Sequence, residues 1–267
     1  MSGLYAGLAE YYDVVYSFKD YRKETARVVA LARRYGRSGG REWLDVACGT
    51  GRHLQYLPRP FRGTGVDLSP AMLRVARRRA PRARLIRGDM QRFHLGQEYD
   101  VISCLFSAIG YVRTRDGLRR TLTNFARHLK PGGVLVIEPW LTPPLYRTGS
   151  VHARVEGTGD VKVARVDMSE RRGRLSILRM HYLIAEPGRP VRHAVDVHTM
   201  GLFTTDETLR LLRRSGLRAR FLRKGLMPGR GLFVAVKPAA PPRRPPPLAP
   251  RGRRAVRPPG VRGEASG

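Results

Sequence analysis

The sequence predicts an α/β fold, with a parallel sheet of seven strands covered by helices and an antiparallel β insertion after the fifth strand. Three observations predict it. Short apolar runs alternate with helix-period runs from residue 21 to residue 138, the pattern of strands buried on both faces. From 150 to 200 the period changes to apolar–polar alternation, as in RLSILRMHYLIA (174–185) and HAVDVHTM (193–200), which reads as antiparallel strands with one wet face. Helix and strand signals then resume up to residue 236.

Taken in order, YRKETARVVALARRYG (21–36) repeats apolar residues at helical spacing and ends at Gly36, an expected C-cap. A short buried strand follows at 43–46. Residues 51–57 start a helix that Pro58 stops. The second strand ends at Gly65-Val66-Asp67. Ser69 then caps a helix that has Pro70 at its first position. Strands are expected at 84–86 and 101–106. A helix over 118–129 is closed by Lys130-Pro131-Gly132-Gly133, and the fifth strand covers 134–138. Beyond the insertion come a helix over 205–215, with Asp206 and Glu207 in its first turn, and strands at 218–222 and 232–236. An insertion after the fifth strand overhangs the carboxyl ends of the strands, where open α/β sheets bind ligands.

The chain has 267 residues, enough for a single large domain with an insertion, and 42% apolar residues to fill its core. No apolar run approaches the roughly 20 residues of a membrane helix. The start, MSGLYAGLAEYYD, has no basic n-region, so no signal peptide is expected. Two cysteines, Cys48 and Cys104, make no disulfide framework. A cytoplasmic protein without a membrane partner is therefore expected. Residues 239–267 hold eight prolines, seven arginines and one acid with no apolar period, a composition that predicts a disordered tail. The domain thus spans 1–238, with an N-terminal helical cap over 1–40 and the insertion over about 140–203.

The net charge of +30 suggests nucleic acid. Of the 51 basic residues only six are lysine, and the charge is spread along the whole chain rather than gathered into a stripe. The tail has arginines but no aromatic residue for base stacking. Nucleic acid is therefore disfavoured as a partner.

The chemistry is carried by WLDVACGTGRHL (43–54). A phosphate-binding P-loop would need a lysine after the glycines, and none is present. A dinucleotide fingerprint would need a third glycine, where Leu54 stands. Asp45 precedes Gly49 and Gly51. A carboxylate there would repel a pyrophosphate and suit a cationic amino group, such as that of S-adenosylmethionine (SAM). Asp67, sixteen residues after Gly51, is placed for ribose hydroxyls, although a dinucleotide site also uses an acid there. Asp89 can accept the adenine amine, with Met90 packing on the ring. The ordered set Asp45, Gly49, Gly51, Asp67 and Asp89 favours SAM.

Five stretches, LDVACGTG (44–51), VDLSPAML (66–73), GDMQRF (88–93), HLKPGGVLVIEPW (128–140) and GRGLFVAV (229–236), resemble the class I SAM-dependent methyltransferases. YYDVVY (11–16), CLFSAIGY (104–111) and PGRGLF (228–233) are more closely similar to the N,N-dimethyltransferases of nucleotide-linked amino sugars in macrolide antibiotic pathways, the desosamine and mycaminose type. The resemblance runs from Tyr5 to Pro238 and implies a Rossmann-like seven-stranded methyltransferase sheet. It implies that Tyr12, Tyr21, Ala47, Asp67, Asp89, Met90 and Leu105 contact SAM. It further implies that Tyr5 faces the substrate, that Tyr111 lies near the acceptor amine, with Tyr111 and Tyr5 as the catalytic candidates, and that Arg230 binds the nucleotide part. Residues 153–157 match a substrate-contacting stretch. Two departures fall where the acceptor is recognised. The family's glycine-rich loop is shortened to Ser17-Phe18-Lys19-Asp20-Tyr21, and its doubled tryptophan is Trp140-Leu141 here.

No cluster of His, Cys or Asp has metal-ligand spacing, so no metal is expected. His128 is expected to favour a helix dipole, and His193 and His198 lie on the insertion strands. The partner expected is a small molecule, with a homodimer compatible. Another small-molecule N- or O-methyltransferase, a nucleic-acid methyltransferase and a non-catalytic SAM-binding regulator stay open as alternatives.

Overall fold

The computed structural model describes residues 8–239. Tyr5 and the proline- and arginine-rich segment after residue 239 lie outside the described residues.

A short helix α1 (Tyr12–Val15) leads into α2 (Tyr21–Tyr35), whose N-cap Asp20 accepts from the Lys23 N–H at 2.9 Å. Val28, Val29 and Ala32 recur on its inner face and are buried. Then follow β1 (Glu42–Val46), α3 (Arg52–Gln55), β2 (Arg62–Asp67), α4 (Pro70–Arg79), β3 (Arg84–Arg87) and β4 (Tyr99–Cys104). A 3-10 turn (Ala108–Val112) precedes α5 (Arg115–His128) and β5 (Leu129–Ile137). The insertion is β6 (Val151–Thr158), β7 (Val161–Arg172), β8 (Leu175–Ala185) and β9 (Arg192–Gly201). The chain finishes with α6 (Thr205–Arg214), β10 (Arg218–Leu222) and β11 (Leu232–Val236).

The main sheet has seven strands in the order β10-β11-β5-β4-β1-β2-β3, and the insertion is a separate four-stranded antiparallel meander. The strand order reverses beside β1, the place where such sheets open a ligand crevice. β11 runs antiparallel to both β5 and β10, so the sheet is mixed rather than wholly parallel. The physical reason is the connection, since no crossover helix separates β10 from β11.

Ser69 caps α4 as expected, accepting from the Met72 N–H at 3.2 Å with Pro70 in the first turn. Other boundaries moved. The helix expected at 118–129 begins at Arg115, because Thr114 caps it through the Gly117 N–H. Lys130-Pro131-Gly132-Gly133 lies inside β5 as an irregularity, where Tyr99 pairs Leu129 but Val101 pairs Val134. The fourth strand stops at Cys104, before Phe106 turns left-handed. Gly36 caps α2 in an extended conformation rather than a left-handed one.

Helices and sheet enclose cores centred on Leu44, Ile102 and Phe125 on one side and on Val28, Val101 and Val136 on the other. A further cluster joins Tyr12, Val15 and Tyr16 to Met72 of α4 and to Met180, Tyr182 and Ile184 of β8. That packing fixes the insertion sheet over the carboxyl ends of the main strands.

Candidate active site

The first turn after β1 contains Ala47, Gly49 and Gly51, all with φ near +55° to +76°. Gly49 is free of neighbours where a Cβ would project, and its left-handed φ is what calls for glycine. At Gly51 a Cβ would approach Ala76 of α4 at 3.1 Å, so this glycine serves packing of the loop on α4 rather than approach to a ligand.

This loop forms one wall of a cleft of about 360 Å³, to which Tyr12, Ala47, Gly49, Asp67, Asp89, Met90, Leu105 and Tyr111 all contribute. At its floor Asp67 Oδ2 accepts the Gly49 N–H and Oδ1 accepts the Ser69 N–H, each at 2.8 Å. Burial pushes this carboxyl upward in pKa, and the backbone donors at Ser69 and Gly49 oppose the shift. Asp89 Oδ1 accepts the Gln91 N–H at 3.0 Å, and its other oxygen pairs with Arg92. Two carboxylates on one small cleft, with Arg113 as the single cation in its wall among the described residues, suit a ligand with hydroxyls and amines and no phosphate. The apolar side chains of Met90 and Leu105 offer a flat ring its packing surface.

Three expected cofactor contacts are not brought to this cleft. Strand alternation sends Asp45 to the face of Trp43, toward α2. There it is 2% exposed, accepts the Ser103 hydroxyl at 2.7 Å, and lines a void of about 10 Å³ with Thr25 and His53. Burial pushes its carboxyl upward. Tyr21, the first residue of α2, is buried against His53, with Lys19 and Arg52 each 5.4 Å from its ring centre. Gly51 sits under α4 as described.

A second cavity of about 530 Å³ lies between the main sheet and the insertion. Phe106 and Tyr111 belong to both cavities and mark where they meet. Arg147, Arg154, Arg165 and Arg230 line the second one, with Asp167 the single carboxylate among the described residues. Guanidinium groups in this number suit a diphosphate. Ala153 and Arg154, from the loosely matched 153–157 stretch, also reach the wall.

The junction is strained. Phe106 and Ser107 are consecutive non-glycine residues with φ of 50° and 62°. Glu138, fully buried, holds them there. Its Oε2 accepts the Phe106 N–H at 2.7 Å and its Oε1 accepts the Met227 N–H at 3.1 Å, so one carboxylate ties this turn to the segment that carries Arg230. Arg230 donates to the Ser107 hydroxyl at 2.8 Å and lies 4.7 Å from the Trp140 ring. Lys19 packs 4.2 Å from the Phe106 ring. Tyr111 hydrogen-bonds His198 Nδ1, and His198 Nε2 lies 2.9 Å from Asp196 Oδ2. His198 thus faces the pocket, whereas His193 stacks with His181 on the exposed side.

His128 is buried and structural, but not as a charge on the helix dipole. Its Nδ1 lies 2.9 Å from the Asn124 carbonyl, its Nε2 accepts the Leu95 N–H at 3.3 Å, and burial pushes its pKa down. Burial likewise pushes the thiols of Cys48 and Cys104 up, which leaves them poor nucleophiles. Sequence pattern alone does not single out Glu138, Ser107, Lys19, Asp196 or Asp167. For Glu138 the Glu-Pro-Trp motif was the available signal.

Comparison with known proteins fits this geometry. Residues 44–133 match the family model described as "Methyltransferase domain". The dTDP-3-amino-3,4,6-trideoxy-alpha-D-glucopyranose N,N-dimethyltransferase of Streptomyces venezuelae is 41% identical over 231 residues, 85% of this chain and 97% of that protein. The crystal structure of Streptomyces venezuelae DesVI superposes with a TM-score of 0.82 at 40% identity, covering 86% of this chain and 98% of that one. SAM-bound CalS10, an amino pentose methyltransferase from Micromonospora echinaspora, superposes with a TM-score of 0.74 at 35% identity, covering 82% and 92%. Fold, cleft and kinship agree: the chain belongs to the SAM-dependent N,N-dimethyltransferases of nucleotide-linked amino sugars.

Proposed function

We propose that this protein N-methylates the amino group of a nucleotide-linked amino deoxysugar. The observation that supports the reading best is the meeting of two chemically opposite cavities at Phe106 and Tyr111, one acid-floored and one lined by arginines. SAM, when bound, supplies a methyl group on a cationic sulfonium. Asp67, Asp89, Met90, Leu105 and Tyr12 would hold it. Arg230 and its neighbours would hold the diphosphate, and Tyr111 would orient the acceptor amine. Positioning is the main contribution of such a site, and orientation alone lowers a barrier by roughly 7–11 kcal/mol. Tyr5, implied by the resemblance to face the substrate, belongs to the same proposal.

Methyl transfer from labelled SAM to nucleotide-linked 3-amino and 4-amino deoxyhexoses, simple amines and RNA tests the reading. Labelled sugars with silent RNA are expected. Labelled RNA with silent sugars, or SAM binding without transfer to any acceptor, sinks it.

The reading includes a homodimer and a place in antibiotic biosynthesis. The outer face of the insertion sheet exposes Val151, Val155, Val166, Met168, Leu183 and Val195. A second copy is the occupant we assign to that face, because a two-fold axis sets one apolar patch against itself. Light scattering should give a dimer for the wild type and a monomer for Val166→Lys. A wild-type monomer discards this part alone. Among the described residues no helix is long and apolar enough to cross a membrane.

A further inference from the structure

We infer that His198 and Asp196 form a proton relay that acts through Tyr111 to deprotonate the acceptor ammonium. The inference rests on the proposed reading of the site as an amine methyltransferase. An amine attacks only through a free lone pair, and most primary amines are protonated at neutral pH. Among the described residues, Tyr111 is the polar side chain common to both cavities. Tyr111 is hydrogen-bonded to His198, 3% exposed and itself on the wall of the second cavity, and His198 in turn meets Asp196, 1% exposed.

The carboxylate fixes the direction of the relay. Asp196 only accepts, so His198 Nε2 carries the hydrogen and Nδ1 is the acceptor for the Tyr111 hydroxyl. The Tyr111 oxygen then has a lone pair to take a proton from the acceptor. In the step, one proton leaves the ammonium for the Tyr111 oxygen as the phenol's own proton moves to His198 Nδ1. The N–H electron pair stays on the amine nitrogen, and the imidazolium that forms faces Asp196. Water in the cavity receives the proton afterwards. Dimethylation needs this twice, because the first product is again an ammonium.

The surrounding charges suit a transient cation. Arg165 and Asp167 on β7 pair with each other at 2.9 Å, so they add little net charge. Tyr16 of α1 and Tyr182 of β8 lie within electrostatic range of Asp196, and burial pushes both phenols up, keeping them neutral. Arg230 is drawn to Ser107 and Trp140 across the cavity.

His198→Gln and Tyr111→Phe test the relay, the second keeping the ring and removing only the hydroxyl. Each is expected to lower kcat at neutral pH by about 10²–10⁴-fold, the range of a general base. The deficit should close as pH approaches the ionisation of the amine itself, roughly 8–10 by analogy with α- and ε-amino groups. The double variant should be no slower than the worse single one. A deficit equal at all pH values, or additive losses, overturns the relay. A second readout needs no acceptor. Nitrogen-15 histidine spectra of the protein alone should show the Nε2–H tautomer at His198, lost in Asp196→Asn. An Nδ1–H tautomer, or a spectrum unmoved by that substitution, overturns the relay even if the acceptor assignment has failed.

Discussion

Arg230 donates to the Ser107 hydroxyl at 2.8 Å, and Ser107 in turn donates to the Pro139 carbonyl at 2.8 Å. The guanidinium is therefore fixed by one hydroxyl and the Trp140 face, with further donors left for a ligand.

Replacing Arg230 by lysine removes the planar fork while keeping the charge. KM for the nucleotide sugar should rise about 10- to 100-fold, from hydrogen bonds to a charged group worth about 1.5–3 kcal/mol. The value of kcat should change little, because binding is lost equally in ground and transition states. Steady-state kinetics with the nucleotide sugar and with the free sugar check this. An unchanged KM, or an equal loss with the free sugar, would remove Arg230 from the nucleotide subsite.

The sheet and its cofactor loop were legible because they obey local rules. Ser69 and Pro70 announce α4, and apolar runs announce β1 and β4. Asp67 and Asp89 end or follow strands, so their place at the crevice followed from topology. Asp45 lies close to the glycines in sequence, yet strand alternation turns it to the other face, beside Thr25 and His53. The insertion hid its function for a related reason. In β9 the buried face carries Asp196 and His198, and Val195 points outward. In β7, Arg165, Asp167 and Ser169 lie on the cavity side while Val166 and Met168 are exposed. The usual rule, apolar inside, reads such strands the wrong way round because they wrap a polar cavity.

Asp67 joins the cofactor cleft to the glycine turn through Gly49. Asp67→Ala should weaken SAM binding by about tenfold to a hundredfold, measured by calorimetry. A pH dependence accompanies it. The ligand binds the ionised carboxylate, and burial raises the pKa in the folded protein. Affinity should therefore be full at neutral pH and decline on acidification at a point above the ordinary aspartate value of about 3.9. A wild-type affinity flat down to that value would dissociate Asp67 from the ligand.

Glu138 accepts two backbone N–H groups, those of Phe106 and Met227. Glu138→Gln keeps the shape but turns one acceptor into a donor that faces an N–H. A loss of about 1–3 kcal/mol is expected in chemical denaturation. Transfer should fall more than stability explains, since the left-handed turn at Phe106 and Ser107 would relax. Full activity at unchanged stability would mean the turn holds without Glu138.

The shortened loop brings Lys19, with a side chain 2% exposed, against Glu24 Oε1 at 2.5 Å, and Glu24 Oε2 meets His53 at 2.9 Å. Burial alone would raise the Glu24 pKa, but the hydrogen bonds and charges of His53 and Lys19 outweigh it and the value is lowered. A carboxyl with a lowered folded pKa stabilises the fold above its unfolded value, about 4.3, and that stability is lost as pH falls through the folded value. Glu24→Gln leaves the buried ammonium of Lys19 without its counter-ion, at a cost of about 3–5 kcal/mol near neutral pH. The gap between variant and wild type should narrow as the pH drops below about 4.3. Urea denaturation from neutral to acidic pH measures it. A gap that is constant across that range would show that Glu24 acts by packing and not by charge.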